Sequence, residues 1–473
     1  MISFLKDVSK LMKRSWRFFP ALWAAKLTTV ILKLFRRNAT HLPGLVALKL
    51  CPTFLGCVEK PKTIIAVTGT NGKTTVCNLL DDILPDCGIV PLNNRTGSNV
   101  DGGIITTFLH ACNLRGRVKA EMAVIEVDER SAMFVFKYME PDYLVVTNLF
   151  RDSFKRNAHS EFITDILNRA IPQKTKLIVN ADDLISSHLA PANPRVTFGI
   201  AHREDDWEVP QNIVCDMVAC PHCNTALQYD FVRYNHIGRA HCPSCGYGSL
   251  PVNYEITAVD TDAQTLTLRT KDGEERYRML GENITDWYNT LAAVTMLREL
   301  GIDANAIELS LQKREIVRSR FEKITVGDKA ITMQLAKGQN PIACSRAFDF
   351  IRRCEGNKAV ILLIEDFFDA KHTSENIAWL YDADFEFLCG EQIPQIIIAG
   401  VRAADFRVRL LLAGVPDERI LCMREEAATA DAVDFERVDN VFVLFDVYTV
   451  PFARTVQERL LARLNGTQEE VTV

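Results

Sequence analysis

The chain has 473 residues, enough for two or three hydrophobic cores of ordinary size. Hydrophobic residues make up 48% and charged residues 24%, the balance of a soluble globular protein. A formal net charge of −5 excludes the global basic field of a nucleic-acid binder, and local pairs such as Arg36-Arg37 and Arg352-Arg353 are short enough to be solvated faces.

Phe18 to Phe35 (FFPALWAAKLTTVILKLF) comes nearest to a membrane span, but it contains Pro20, Lys26 and Lys33 and is flanked by Arg14, Arg17, Arg36 and Arg37. A spanning helix wants about 20 apolar residues with few charges. The expectation is therefore an amphipathic helix, packed on the body or resting on the inner leaflet of a membrane. The N-terminus carries Lys and Arg without a small-residue cleavage site, which speaks against a secretory leader.

From Thr63 onward, short apolar runs alternate with helical stretches. Strands are predicted at Thr63–Val67, Met122–Val127, Tyr143–Thr147 and Leu177–Asn180, with a helix over Thr74–Leu84. This alternation is the signature of a parallel sheet wrapped by helices. It breaks near Pro210, then Asn253–Val259 and Thr265–Arg269 read as a hairpin and about Ile284 to Leu300 as a helix. Ala359–Ile364, Gln395–Ala399 and Val441–Phe445 are strand candidates of a second α/β unit. The expected organisation is an N-terminal helical segment over 1–50, a central domain over 51–318 and an α/β domain over 319–473. The last eight or so residues read as disordered.

Val67-Thr68-Gly69-Thr70-Asn71-Gly72-Lys73-Thr74-Thr75 lies between a strand and a helix, where a phosphate cradle belongs. Gly69 and Gly72 let backbone N–H groups approach an anion, and the helix start adds partial positive charge. Lys73 would meet the β- and γ-phosphates of ATP, and the Thr74 hydroxyl would ligate Mg²⁺. The first glycine of the strict P-loop pattern is missing, because Val67 stands there.

Fourteen cysteines fall into two groups. Ten are scattered among apolar neighbours, which suggests a reducing cytoplasm. Cys220, Cys223, Cys242 and Cys245 form C-x2-C-x18-C-x2-C, two knuckles whose four thiolates fill a tetrahedral Zn²⁺ site and leave no open position, so the zinc is expected to be structural. The ribbon would occupy about residues 212–252, with His222 and His241 as neighbours and not ligands. A ribbon that reads nucleic acid needs a basic, aromatic face, and only Arg233, Arg239 and nearby tyrosines offer support for that, which is too little to favour it.

The string TGTNGKTT resembles the Mur ligases and folylpolyglutamate synthases, and further motifs match in order. Glu126 in Ala-Val-Ile-Glu-Val-Asp-Glu stands where that family places a Mg²⁺-binding glutamate. Thr147-Asn148-Leu149-Phe150-Arg151-Asp152 looks like its Thr-Asn element with a nearby aspartate. Asn289 matches the asparagine that faces the nucleotide, and Arg320 the arginine at the start of the C-terminal domain. The implied fold is α/β: a Mur-ligase-type central P-loop domain carrying an inserted four-cysteine zinc ribbon, then a smaller Rossmann-like α/β domain. The resemblance thus implies a nucleotide site of Gly69, Thr70, Asn71, Gly72, Lys73, Thr74, Thr75, Asn289 and Arg320, with Lys73 and Glu126 catalytic and Thr74 and Glu126 holding Mg²⁺.

The ribbon, Thr40-His-Leu-Pro-Gly-Leu-Val-Ala-Leu-Lys-Leu and Ile377-Ala-Trp-Leu-Tyr-Asp-Ala-Asp-Phe-Glu are similar to one branch, the MurT family, over about residues 40 to 460. That resemblance implies ATP-dependent amidation of the stem-peptide D-glutamate on lipid II, in a heterodimer with a GatD-type glutaminase that supplies ammonia. In the family an aspartate of the C-terminal domain completes the partner's Cys–His pair. Asn376 stands at that position here, and Asp382 or Glu375 are the alternatives; the usual neighbouring Gly is replaced by Lys371-His372-Thr373-Ser374. Cys344, Cys354, Cys389 and Cys422 lack the surroundings of a nucleophile. Two other readings are a stand-alone Mur- or folylpolyglutamate-type amino-acid ligase and a P-loop ATPase that reads nucleic acid through its ribbon.

Overall fold

The protein is described from a computed structural model covering residues 14–151, 159–314, 321–336, 340–364, 377–446 and 448–470. It divides into two compact units. The first comprises Met1–Phe150, His159–Val209 and Met217–Ile316, and the second comprises Arg151–Ala158, Pro210–Asp216 and Val317–Val473.

The first unit opens with helices α1 (Phe18–Leu34), α2 (Leu42–Leu50) and α3 (Phe54–Cys57). Phe18, Ala21, Leu22 and Ala25 of α1 recur at helical spacing and are fully buried in the core of this unit, so the packed alternative holds for that face. Among the described residues no helix is long and apolar enough to cross a membrane.

A nine-stranded sheet follows. Its strands are β1 (Thr63–Thr68), β2 (Leu92–Asn93), β3 (Met122–Glu126), β4 (Tyr143–Val146), β5 (Lys176–Asn180), β6 (Arg195–Ile200), β9 (Tyr254–Asp260), β10 (Thr265–Thr270) and β11 (Gly273–Arg278); β7 (Gln228–Tyr234) and β8 (Ile237–His241) form a separate hairpin. The order is β11-β10-β9-β6-β5-β4-β1-β3-β2. β2 through β6 run parallel with β1, β9 joins β6 in parallel, and β9, β10 and β11 are antiparallel. The connecting helices are α4 (Lys73–Asp86), α5 (Asp101–Ala111), α6 (Ala132–Met139), α7 (Ser160–Ala170) and α8 (Leu184–Ser187), with α9 (Ile284–Glu299) and α10 (Ala304–Gln312) closing the unit. β1 has β4 on one side and β3 on the other. Strand order therefore reverses at β1, where open parallel sheets place ligands beyond their carboxyl ends.

The second unit holds a six-stranded sheet of β12 (Phe321–Val326), β13 (Lys329–Leu335), β14 (Lys358–Leu363), β15 (Gln395–Ala399), β16 (Ile420–Met423) and β17 (Asn440–Phe445), ordered β12-β13-β17-β14-β15-β16. Among the described residues of this sheet only β12 and β13 pair antiparallel. Its helices are α11 (Pro341–Arg353), α12 (Trp379–Asp382), α13 (Ala403–Ala413) and α14 (Val450–Glu470). α14 runs to Glu470, so most of the tail expected to be disordered is helical, and residues 471–473 lie outside the described residues. Buried Val456, Leu460 and Leu464 anchor α14, and the helix propagates past Gly466 to Glu470.

Candidate active site and four-cysteine centre

β1 ends in the loop that begins α4. Gly69 has φ +127°, and a Cβ there would lie 2.2 Å from the Thr147 hydroxyl; Gly72 has φ +90°, and its Cβ would lie 2.1 Å from Asn289 Oδ1. Both positions exclude a side chain twice over, by backbone conformation and by space. The Thr147-Asn148 pair after β4 buttresses the loop. Thr70 N donates to Asn148 O at 2.9 Å, Asn71 N to Asn148 Oδ1 at 3.1 Å, and Thr147 Oγ1 to Asn71 O at 2.6 Å. Thr70 Oγ1 accepts from Phe150 N at 2.9 Å. The N-cap of α4 is Gly72, which has no side chain to occupy the first N–H groups of the helix, the donors that an anion cradle uses.

Lys73 Nζ donates to Glu129 Oε1 at 2.8 Å and to the Gly69 carbonyl. Burial opposes its charge, but Glu129, backed by Asp128 and Glu126, raises its pKa above the usual value, so the ammonium is kept. Glu126, the last residue of β3, is fixed from three sides by asparagines. Asn99 Nδ2 donates to its Oε1 at 2.8 Å, Asn94 Nδ2 to its carbonyl at 2.9 Å, and its own N–H to Asn94 Oδ1 at 2.9 Å. Glu126, Thr74, Asn94, Arg95, Gly97, Ser98 and Asn99 line one polar cleft.

The two cysteine knuckles are the same structure repeated. Asn224 N donates to Cys220 O and Gly246 N to Cys242 O, and Asn224 and Gly246 both adopt positive φ, at 59° and 75°. The four Sγ atoms lie within 4.8 Å of one another, with Cys220–Cys245 at 3.5 Å and Cys223–Cys242 at 3.4 Å. A tetrahedron with Zn–S bonds of ~2.3 Å needs edges of about 3.8 Å, so the residues fit a zinc ion. His222 and His241 are not in this cluster; His241 Nδ1 instead pairs with Asp230 at 3.0 Å.

The hairpin of β7 and β8 is tied to the sheet by buried charge. Arg233 donates to Asp182 at 2.9 Å and to the carbonyls of Ile200 and Ala201 at 2.8 and 2.6 Å; Arg239 donates to Asp182 at 3.1 Å and Glu255 at 2.5 Å. The two arginines that the ribbon's basic face would need are thus paired with buried carboxylates and carbonyls. At the hairpin tip, fully buried His236 lies 3.2 Å from Asp183 and its ring centroid is 4.7 Å from that of Phe150.

Residues 67–239 match the Mur ligase middle domain and residues 337–450 the MurT ligase C-terminal family. The MurT subunit of lipid II isoglutaminyl synthase (glutamine-hydrolyzing) from Staphylococcus aureus is 33% identical over 424 residues, covering 89% of this chain and 93% of its own. Its Streptococcus pneumoniae counterpart is 31% identical over 404 residues, covering 84% and 88%. The chain belongs to the MurT family. A MurT-family chain is an enzyme of the ligase class, and its fold is that of the Mur ligases. A pseudomurein peptide ligase type C from Methanothermus fervidus matches it with a TM-score of 0.61 at 18% identity, covering 87% of this chain and 84% of that one. MurF from Acinetobacter baumannii matches at 0.58 and 16% identity, covering 88% and 80%.

For this MurT-family chain the structure brings the loop residues, Glu126 and Asn289 together in the first unit. Asp382 ends α12 in the second unit, with its carboxylate 3.6 Å from Arg151, which also pairs with Asp216. Asp152, Arg320, Glu375 and Asn376 lie outside the described residues. Sequence reasoning missed Asn94, Asn99 and Glu129. The asparagine-rich run Asn93 to Asn99 and the second acid of Glu-Val-Asp-Glu were the available signals.

Asp81, on the helix that follows the loop, is buried, and Asn93 is the side-chain donor beside its carboxylate. Burial pushes it up to about 7, against the pull of Arg95. An unfolded aspartate titrates near 4, so the native state holds this proton more tightly. Stability is then greatest below about pH 4, falls as pH rises, and carries the full penalty above about 7. Asp81→Asn removes that penalty, on the order of 2–4 kcal/mol. Its melting temperature should exceed the parent's by several degrees near pH 8 and converge with it near pH 4; a gap independent of pH would contradict this account.

Proposed function

We propose that the chain is the synthetase subunit that converts the α-carboxylate of the stem-peptide D-glutamate on lipid II to D-isoglutamine, using ATP and ammonia from a GatD-type glutaminase. The observation that carries this reading is the likeness to MurT subunits along 89% of the chain, including the MurT-specific C-terminal region at 337–450.

A carboxylate is a poor electrophile and must first be activated. Its oxygen attacks the γ-phosphorus of ATP, ADP leaves, and an acyl phosphate forms. Ammonia then attacks the acyl carbon, the carbon–oxygen bond to phosphate breaks, and the nitrogen loses a proton to give the amide. The loop at residues 69–75 would bind the phosphates, with Asn289 and Arg320 toward the nucleotide. Lys73 would swing from Glu129 to neutralise the charge that develops on the transferring group. Thr74 and Glu126 would hold Mg²⁺, which supplies Lewis-acid stabilisation of the same charge. Asn99 holds the Glu126 carboxylate and Asn94 its backbone, beside the cleft that both line.

Burial pushes the thiols of Cys344, Cys354, Cys389 and Cys422 up, which disfavours the thiolate at these four positions and supports a separate subunit as the source of ammonia. Asn376, or else Asp382 or Glu375, would complete the glutaminase triad of the partner, and Cys220, Cys223, Cys242 and Cys245 would hold a structural zinc. The place of work is the cytoplasm, at the inner face of the membrane that carries the lipid-linked precursor.

The test is amidation of lipid II by the purified chain with ATP and glutamine, with and without the glutaminase. The expected product is one mass unit lighter and forms only with both subunits and ATP. Addition of an amino acid by the chain alone would instead establish the stand-alone ligase.

A further inference from the structure

α1 is apolar on two faces. Its inward stripe is buried, but the opposite face is also apolar: Trp23, Leu27, Val30, Ile31 and Leu34 recur every three or four residues and are 55%, 59%, 63%, 45% and 78% exposed. Phe35 continues the patch, and α2 beside it leaves Leu45 and Leu50 exposed. A globular protein rarely leaves such a contiguous apolar surface without an occupant.

Charge identifies the occupant. Between Arg14 and Val58 the chain carries Arg14, Arg17, Lys26, Lys33, Arg36, Arg37 and Lys49 and no Asp or Glu, in a chain whose formal net charge is −5. Arg17, Lys33, Arg36 and Arg37 are exposed, and no described acidic residue forms an ion pair with them. Lys26 is held by the carbonyls of Leu109 and Cys112 at 2.8 and 2.7 Å, which leaves its charge uncompensated as well. Two copies meeting through this face would bring like charges together, whereas an apolar stripe edged by cations fits an anionic lipid surface. The indole of Trp23, donating to the Leu114 carbonyl at 3.3 Å, is of the type that sits at the headgroup level.

We infer that the outward face of α1 docks in the headgroup region of an anionic phospholipid bilayer, with the helix lying in the membrane plane. The inference goes beyond the proposed reaction and stands on the surface alone, so an inactive chain that docks refutes the reaction and not the docking face.

The experiment is co-sedimentation of the full-length chain with vesicles of equal parts phosphatidylglycerol and phosphatidylcholine, and with phosphatidylcholine alone. Two variants are compared: Leu27→Gln with Val30→Gln and Leu34→Gln, and Arg36→Glu with Arg37→Glu. All five positions are exposed, so melting temperatures should match the parent. The expected result is binding to the mixed vesicles that falls at least tenfold in each variant, weakens with salt and is much weaker on phosphatidylcholine alone. Binding unaffected by either set, or a parent chain that stays in the supernatant, overturns the inference. So does a parent dimer that the leucine-stripe variant converts to monomer, because the occupant is then a second copy.

Discussion

Lys73→Ala should lower ATP-dependent amidation by about a thousandfold, the scale on which one well-placed charge stabilises a transferring group. The same substitution should also lower the melting temperature, for a reason unrelated to catalysis. Glu129 is 3% exposed and Lys73 is its partner at 2.8 Å. Removing the ammonium strands a buried carboxylate, which costs about 3–5 kcal/mol unless the group takes up a proton. The two effects separate in the pair Lys73→Ala with Glu129→Gln, which should regain most of the thermal stability and none of the activity. If the double variant recovers turnover as well, Lys73 serves only to neutralise Glu129, and its assignment to phosphate is wrong.

Loss of the four-cysteine centre should be comparably severe. The parent is expected to hold one zinc per chain by atomic emission, and Cys220→Ser or Cys242→Ser should lose it. Structural zinc contributes about 10–16 kcal/mol in small domains, as much as the whole stability of an ordinary domain. Here the knuckles flank the hairpin that carries Arg233 and Arg239, so unravelling also withdraws both cations from fully buried Asp182. The consequence should reach the phosphate loop, because His236 at the hairpin tip packs on Phe150, whose N–H holds Thr70. Metal-free protein is therefore expected to bind ATP at least tenfold more weakly, measured by calorimetry. Unchanged nucleotide affinity in a zinc-free chain would mean that the ribbon and loop are uncoupled.

The parts legible in the sequence were those whose chemistry is local. The strand, glycine turn and Lys73 stand in nine consecutive residues, and the cysteine knuckles in two runs of four. Predicted strands matched to within a residue or two because β1, β5 and β14 are buried on both faces and read as unbroken apolar runs. What escaped was assembled by topology. Asn94 and Asn99 reach Glu126 only because β2 lies beside β3 across a crossover, and no spacing rule connects residues about thirty apart. β11, the antiparallel edge strand Gly-Glu-Glu-Arg-Tyr-Arg, carries too little apolar pattern to be noticed, and β16 is only four residues long. The structural role of Arg233 and Arg239 escaped for the same cause. Their partner Asp182 lies some fifty residues upstream, and only the folded chain shows that they face inward.

The second unit borrows Pro210–Asp216 from the middle of the chain. Asn212 Nδ2 and Ile213 N donate to the two carboxylate oxygens of Asp384 at 2.8 and 2.6 Å, and Asp384 is 1% exposed. A gene fragment starting at Val317 would therefore express a domain with a missing plank. Its buried Asp384 would keep Ser345 but lose two of its donors, and the fragment should be prone to aggregation unless a peptide spanning residues 210–216 is supplied in trans.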